Sequence, residues 1–324
     1  MQLIETPYVD LKNLGNFAIA LCGGGAAGRW QAGLLVALAQ AGIVQQAKLI
    51  CGTSVGSLNA ALFAKYGAIR PYETDNKSNI PHPFEDAIAI WEDIKSNKDI
   101  YLGRLDWYRF LGAFTGAKSI LDRTPLKKRL NNIFGDTTFG DVYSSLQTHL
   151  SIGTGNLNTK RVEFLNSWDP QYKHIKLSTG LAASSGIPLA FDSTEISFPN
   201  RKTSQWFIDG GIGANNPFVA IDEYNEAFPT QKIEKVLIIY CYPEDVADLG
   251  VGLGEQDTNK YESFKDAAIG TLPTIMNSQE QILEKFVDII VKLNGPDVLA
   301  MWPNTVPCDT LDFGKTSILQ DGYN

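Results

Sequence analysis

Residues 16 to 66 constrain the fold more than any other stretch of this chain. Asn16-Phe17-Ala18-Ile19-Ala20-Leu21-Cys22 runs into Gly23-Gly24-Gly25-Ala26-Ala27-Gly28-Arg29-Trp30-Gln31-Ala32-Gly33, and Lys48-Leu49-Ile50-Cys51 runs into Gly52-Thr53-Ser54-Val55-Gly56-Ser57. Each apolar run stops at glycine and is followed by an Ala- and Leu-rich stretch, which is βαβα patterning. The order read from it is strand, glycine loop, helix, strand, serine turn, helix. Gly52-x-Ser54-x-Gly56 between a strand and a helix fits a nucleophile elbow, in which small flanking residues let a sharp turn lift the serine hydroxyl above the sheet. The glycine loop supplies what such a serine needs. Backbone N–H groups without side chains around them, at a helix N-terminus, provide partial positive charge where a tetrahedral oxyanion forms.

The base is harder to place, because a serine hydroxyl is a weak nucleophile until a neighbour takes its proton. In the α/β-hydrolase order the histidine follows serine and acid late in the chain, yet the three histidines here are His82, His149 and His174. His82 sits between two prolines, His149 opens a strand and His174 lies in a polar stretch; none carries a flanking pattern that marks a base. Asp209 remains. It follows the short strand Gln205-Trp206-Phe207-Ile208 and precedes Gly210-Gly211, so it too stands at a strand end with little bulk around it, although Asp-Gly is also an ordinary turn composition.

These residues resemble the patatin-like phospholipase family. Gly23-Gly24-Gly25-Ala26-Ala27-Gly28, with its Trp30-Gln31-Ala32-Gly33 continuation, is similar to that family's oxyanion motif, and Gly52-Thr53-Ser54-Val55-Gly56 to its nucleophile motif. Ala183-Ser184-Ser185 with Pro188 resembles the small-residue motif lining the site. Asp209-Gly210-Gly211 with Asn215-Asn216-Pro217 resembles the catalytic aspartate segment. One departure is visible: the family often has a basic residue just before the last glycine of the first motif, where this chain has Ala27, with Arg29 next after that glycine. The resemblance implies a three-layer α/β/α fold with a mostly parallel central sheet and a helical insertion. It implies a lipid acyl hydrolase of the phospholipase A, lysophospholipase or esterase type, acting on carboxylic esters without metal or other cofactor. In the implied site Ser54 is nucleophile and Asp209 general base, Gly23, Gly24, Gly25 and Gly28 form the oxyanion hole, and Gly52, Gly56, Gly210, Gly211 and Arg29 support them. The expected partner is a phospholipid or other acyl-ester lipid, met in transient contact with a membrane or micelle surface.

The sequence admits two rival classes. Gly23-x-Gly25-x-x-Gly28 after a strand has dinucleotide-binding spacing, but the acid expected about 20 residues on is missing, since no Asp or Glu occurs between Asp10 and Glu73. A P-loop is weaker still, with Arg29-Trp30 where Lys and Ser/Thr are needed. The second rival is a non-catalytic lipid-binding protein of the same fold, and the presence of serine, aspartate and glycines together argues against it. A formal charge of −8 disfavours a general nucleic-acid binder. The acid-free run carries Lys12, Arg29, Lys48, Lys65 and Arg70, which reads either as a buried segment or as a field favouring an anion. Cys22, Cys51 and Cys241 lie in or at the ends of apolar strands and read as small buried hydrophobes.

Along the rest of the chain the periodicity predicts helices over Arg29 to Ala41, Val55 to Tyr66, Phe84 to Ile94 and from Thr124-Pro125, with Thr124 as N-cap, to about Phe134. His149 to Gly155 and Arg161 to Asn166 read as a strand pair, and 179–188 as a small-residue helix. Asn216-Pro217 reads as the start of a helix to Phe228, and Lys235 to Cys241 as a buried strand. A single domain over 1–324 is expected, with a helical insertion at 67–147, whose aromatic stretch 101–114 reads as core or as a surface for acyl chains or membrane, and a C-terminal helical extension at 245–324, including helices at 261–269 and 273–293. The N-terminus lacks a basic and apolar leader, and no run approaches ~18 apolar residues. A cytoplasmic protein is the expectation, and export without such a leader is compatible with it.

Overall fold

The computed structural model describes residues 13–67, 82–103, 119–146, 148–188, 190–201, 203–243, 295–305, 307–308 and 311–323. Among them lie the strands β1 (Phe17–Leu21) and β2 (Ala47–Thr53), joined through helix α1 (Gly28–Gln40), and helix α2 (Val55–Gly67) after β2. Next come α3 (His82–Glu92), α4 (Thr124–Phe134) and α5 (Phe139–Leu146), then the hairpin of β3 (His149–Asn156) and β4 (Arg161–Asn166). Helix α6 (Leu177–Ser184) leads to β5 (Thr194–Ile196) and β6 (Gln205–Asp209). The chain continues with the single turn α7 (Gly211–Ala214), α8 (Val219–Ala227) and β7 (Lys235–Ile239). Strand β8 (Asp297–Met301) and helix α9 (Ile318–Tyr323) complete the described elements.

The strands form one sheet in the order β5-β6-β3-β2-β1-β7-β8, with β4 paired to β3 off this path. Pairings from β3 through β2, β1 and β7 to β8 are parallel, and those among β3, β4, β5 and β6 antiparallel. All five residues of β1 are buried, as a central parallel strand covered on both faces must be. Its two faces differ in bulk. Phe17, Ile19 and Leu21 join a large cluster with α1, α2, α3, α4 and α6, while Ala18 and Ala20, with Cys22 just beyond the strand, meet Phe218, Ile221 and Tyr224 at and within α8. That alternation makes the three layers, and small side chains on the second face let α8 lie close. No described helix is long and apolar enough to cross a membrane.

The register of β3 positions the site. A strand has two edges, and β4 occupies one of them from Ser151 to Asn156. The other is shared: β2 runs parallel to β3 as far as Thr53 opposite Gly153, and β6 runs antiparallel from Phe207 opposite Asn156 to Asp209 opposite Thr154. The carboxyl ends of β2 and β6 therefore meet head to head.

Several elements differ from the sequence expectation. α8 starts at Val219, not at Pro217, because the Asn216 side chain accepts the Phe218 N–H (3.1 Å) and forms a turn ahead of the helix. Thr124 is the first residue of α4, and its amide donates to Asp122 Oδ1 (2.8 Å), so the capping oxygen comes from two residues earlier. β8 extends the sheet within a segment expected to be helical; it is a short, half-exposed edge strand with no strong periodicity. The helices expected at 261–269 and 273–293, and most of the aromatic stretch 101–114, lie outside the described residues. Within the acid-free run, Arg29 is buried, Lys65 donates to the Ile133 carbonyl (2.8 Å) and Lys48 faces solvent, so its described part is chiefly core. Cys22, Cys51 and Cys241 are buried, as expected of small hydrophobes.

Candidate active site

Ser54 occupies the turn between β2 and α2 with φ of 55°, a left-handed conformation that costs a non-glycine residue on the order of 1–2 kcal/mol. The neighbours hold it there. Ser57 donates to the Ser54 carbonyl through both its amide (3.0 Å) and its hydroxyl (2.6 Å). The Ser54 amide donates to Ser184 Oγ (2.9 Å), whose own proton goes to the Gly153 carbonyl (2.7 Å), tying the elbow to the end of β3. Gly52 and Gly56 are needed because backbone passes close to each: a Cβ on Gly52 would overlap the Gly56 carbonyl across the turn, and one on Gly56 the Leu21 carbonyl at the end of β1.

Asp209 arrives from the opposing strand end. Its amide donates to the Gly186 carbonyl (3.0 Å), its Oδ1 accepts the Gly211 N–H (2.8 Å), and its Oδ2 accepts the Ser54 hydroxyl at 2.7 Å. Burial pushes its pKa up to about 6, even though the Ser54 hydroxyl, the Gly211 amide and the Arg123 charge all pull the other way. The carboxylate is thus a stronger base than a free aspartate of pKa about 3.9.

Beside them runs the glycine bend, where Gly25–Ala27 makes one 3₁₀ turn leading into α1 and Gly25 takes φ of 56°. The structure corrects part of the expectation for its donors. The Gly23 amide donates to the Asn215 carbonyl (3.3 Å), and the Gly28 amide to carbonyls of the same 3₁₀ turn, so both are engaged. No described group accepts from the amides of Gly24 and Gly25, and Gly25 lines a cavity together with Ser54. Arg29 also differs in position. Its buried guanidinium donates to the carbonyls of Trp91 (2.8 Å), Ile94 (2.5 Å) and Lys315 (2.9 Å), so it fastens α1 to the end of α3 and to the C-terminal segment.

No described histidine side chain reaches the pair. His149 sits opposite Leu49, at the far end of β3, packed among Trp168, Tyr224 and Phe228; burial, with the Lys173 charge adding, pushes its pKa down to about 4. His174 contacts the Ser197 carbonyl (3.1 Å) at the surface. The side chain of His82, at the start of α3, lies outside the described residues.

Sequence reasoning missed the polar groups behind the site. Trp91 Nε1 donates to Asn59 Oδ1 (2.9 Å), and Asn59 Nδ2 to the Gly28 carbonyl (2.8 Å) and Gln31 Oε1 (3.0 Å). Gln31 Nε2 continues to the Ile239 carbonyl (2.9 Å), so a buried chain of amides clamps the glycine bend to α2, α3 and the end of β7. Arg123 is buried and bonds Asp192 Oδ1 (2.7 Å), Thr194 Oγ1 (2.9 Å) and the carbonyls of Ala182 and Asp192, bracing the end of α6 that carries Ser184. The spacing of the family motifs reveals none of these. Only their residue types, polar among apolar neighbours, give a signal.

The cavity beside Ser54 is mostly apolar. α2 contributes Val55 and Leu58, α4 contributes Leu126 and Leu130, and the C-terminal segment contributes Leu311 and Phe313.

A family model described as patatin-like phospholipase matches residues 19–222, the span holding the glycine bend, the elbow and Asp209. The chain belongs to the patatin-like phospholipase family. No curated protein matches it. Among solved structures, VipD from Legionella pneumophila is similar at 15% identity and a TM-score of 0.42, covering 96% of this chain and 66% of that one. Human GIVD cytosolic phospholipase A2 in complex with methyl gamma-linolenyl fluorophosphonate is similar at 11% identity and a TM-score of 0.47, covering 95% and 56%. This patatin-like chain thus spans between about half and two-thirds of the length of those structures.

Proposed function

We propose that this protein is a lipid acyl hydrolase that cleaves carboxylic esters through Ser54 and Asp209. The observation that carries the reading is the 2.7 Å hydrogen bond from the Ser54 hydroxyl to a buried carboxylate whose pKa is raised to about 6. Ser54 Oγ attacks the ester carbonyl carbon while its proton passes to Asp209 Oδ2. The amides of Gly24 and Gly25 receive the oxyanion, each such donor supplying on the order of 3 kcal/mol of barrier lowering. Collapse breaks the bond to the alcohol oxygen, which takes the proton from Asp209, and leaves the acyl group on Ser54. Water then gives its proton to Asp209 and attacks the acyl-serine, releasing the fatty acid and restoring the hydroxyl. The apolar cavity suits an acyl chain, and family membership supports a lipid substrate.

The test is ester turnover with p-nitrophenyl esters and phospholipids in the presence of a chelator. The wild type is expected to hydrolyse them, and Ser54→Ala and Asp209→Asn each to lose roughly a thousandfold or more in kcat with far-UV circular dichroism unchanged. Full activity in Asp209→Asn would remove the carboxylate from the mechanism.

A further inference from the structure

The cavity beside Ser54 is completed by a part of the chain far beyond the family match, which ends at residue 222. Leu311 and Phe313 line it, and the segment that carries them is fastened at separate points. The Phe313 amide donates to Asn97 Oδ1 (2.7 Å), the Tyr101 hydroxyl donates to the Leu311 carbonyl (3.1 Å), and Arg29 Nη1 donates to the Lys315 carbonyl (2.9 Å). Farther on, α9 lies along α1, and Gly322 comes so close to the Trp30 carbonyl that any Cβ would overlap it. The Phe313 ring itself stands edge-on to Tyr101, with centroids 6.4 Å apart. A wall held this way has a fixed shape, and a fixed apolar wall discriminates ligands by the methylenes it can accommodate.

We infer that Leu311 and Phe313, held in place by the docked segment that continues to residue 323, form the wall that sets which acyl chains the cavity accepts, with Phe313 the residue that limits chain length. The inference rests on the hydrolase reading for its biological meaning, though not for its test. Replacing the ring by a methyl group opens space next to Leu311 for the end of a longer chain. The unaltered protein and the variants Phe313→Ala and Gly322→Ala are compared on p-nitrophenyl esters from butyrate to palmitate. Phe313→Ala is expected to raise the ratio of kcat/KM for palmitate over butyrate by about tenfold. Gly322→Ala, which meets the cavity only through the docking of α9, is expected to move the ratio the same way, in KM more than in kcat. An unchanged ratio in a folded, active Phe313→Ala protein overturns the inference and leaves the hydrolase reading intact. Absence of any turnover in the wild type defeats the hydrolase reading, and binding then decides: in calorimetry with lauric and palmitic acids, a shift towards palmitic acid in Phe313→Ala upholds the wall, and an unchanged preference overturns it.

Discussion

Asp209 is held where its ionised form is disfavoured, and this has opposite consequences for activity and for stability. With a folded-state pKa of about 6, kcat/KM should fall about tenfold per pH unit below that value as the base becomes protonated, and level off above it. The stability effect follows from linkage. Below the unfolded-state value, about 3.9, the group is protonated in both states and costs nothing. Between about 3.9 and about 6 the unfolded chain loses its proton while the folded chain keeps it, so a penalty builds as pH rises. Above about 6 the penalty is complete, about 3 kcal/mol for a shift of about two units. Asp209→Asn, which can still accept from Gly211 and donate to Ser54, is therefore expected to melt higher than the wild type at pH 8 and to converge with it near pH 4. Thermal denaturation across that range checks the sign. Ser54 carries a second local strain, its φ of 55°; Ser54→Gly relieves it but strips Asp209 Oδ2 of its donor, so turnover is expected to vanish with little net change in melting temperature.

At the scale of elements, the site depends on what clamps α1, α2 and α6 to the sheet. Asn59→Leu leaves the Trp91 indole N–H and Gln31 Oε1 buried without the partner Asn59 gives them, at a cost of about 1–3 kcal/mol each. It should slacken the glycine bend, so kcat is expected to fall even though residue 59 lies on the helix behind Ser54; urea unfolding and ester kinetics on the same protein measure both effects. The elements from β1 to α2 were legible in the sequence because strand runs ending at glycine and helices of Ala and Leu obey simple periodicities. Ser54 was legible because its turn demands glycine neighbours, whereas Asp209, in an ordinary Asp-Gly turn, was legible only through its resemblance to a family motif. The head-to-head arrival of β2 and β6 was not, since register along β3 is a tertiary property. Arg29 misled for a related reason: proximity in sequence to the glycine bend places its backbone there, while its long side chain reaches the end of α3. Arg123 and Asn59 gave no motif at all, because a polar residue that satisfies carbonyls from distant segments leaves no local pattern.

At the scale of the whole molecule, a formal charge of −8 acts on any lipid surface the protein approaches. Hydrolysis of phosphatidylcholine vesicles doped with phosphatidylglycerol is expected to be slower than that of undoped vesicles at low ionic strength. The gap should close as added salt shortens the Debye length to about 8 Å and below. Equal rates at low salt would show that a locally basic face outweighs the total. The shared edge of β3 carries one further implication. Because Gly153 faces the end of one strand and Thr154 the end of the other, losing a single residue at that junction would turn the incoming carboxylate to the opposite face of the sheet. A relative with both signature residues intact but β3 shortened there by one position would pass a motif search and have no working catalytic pair.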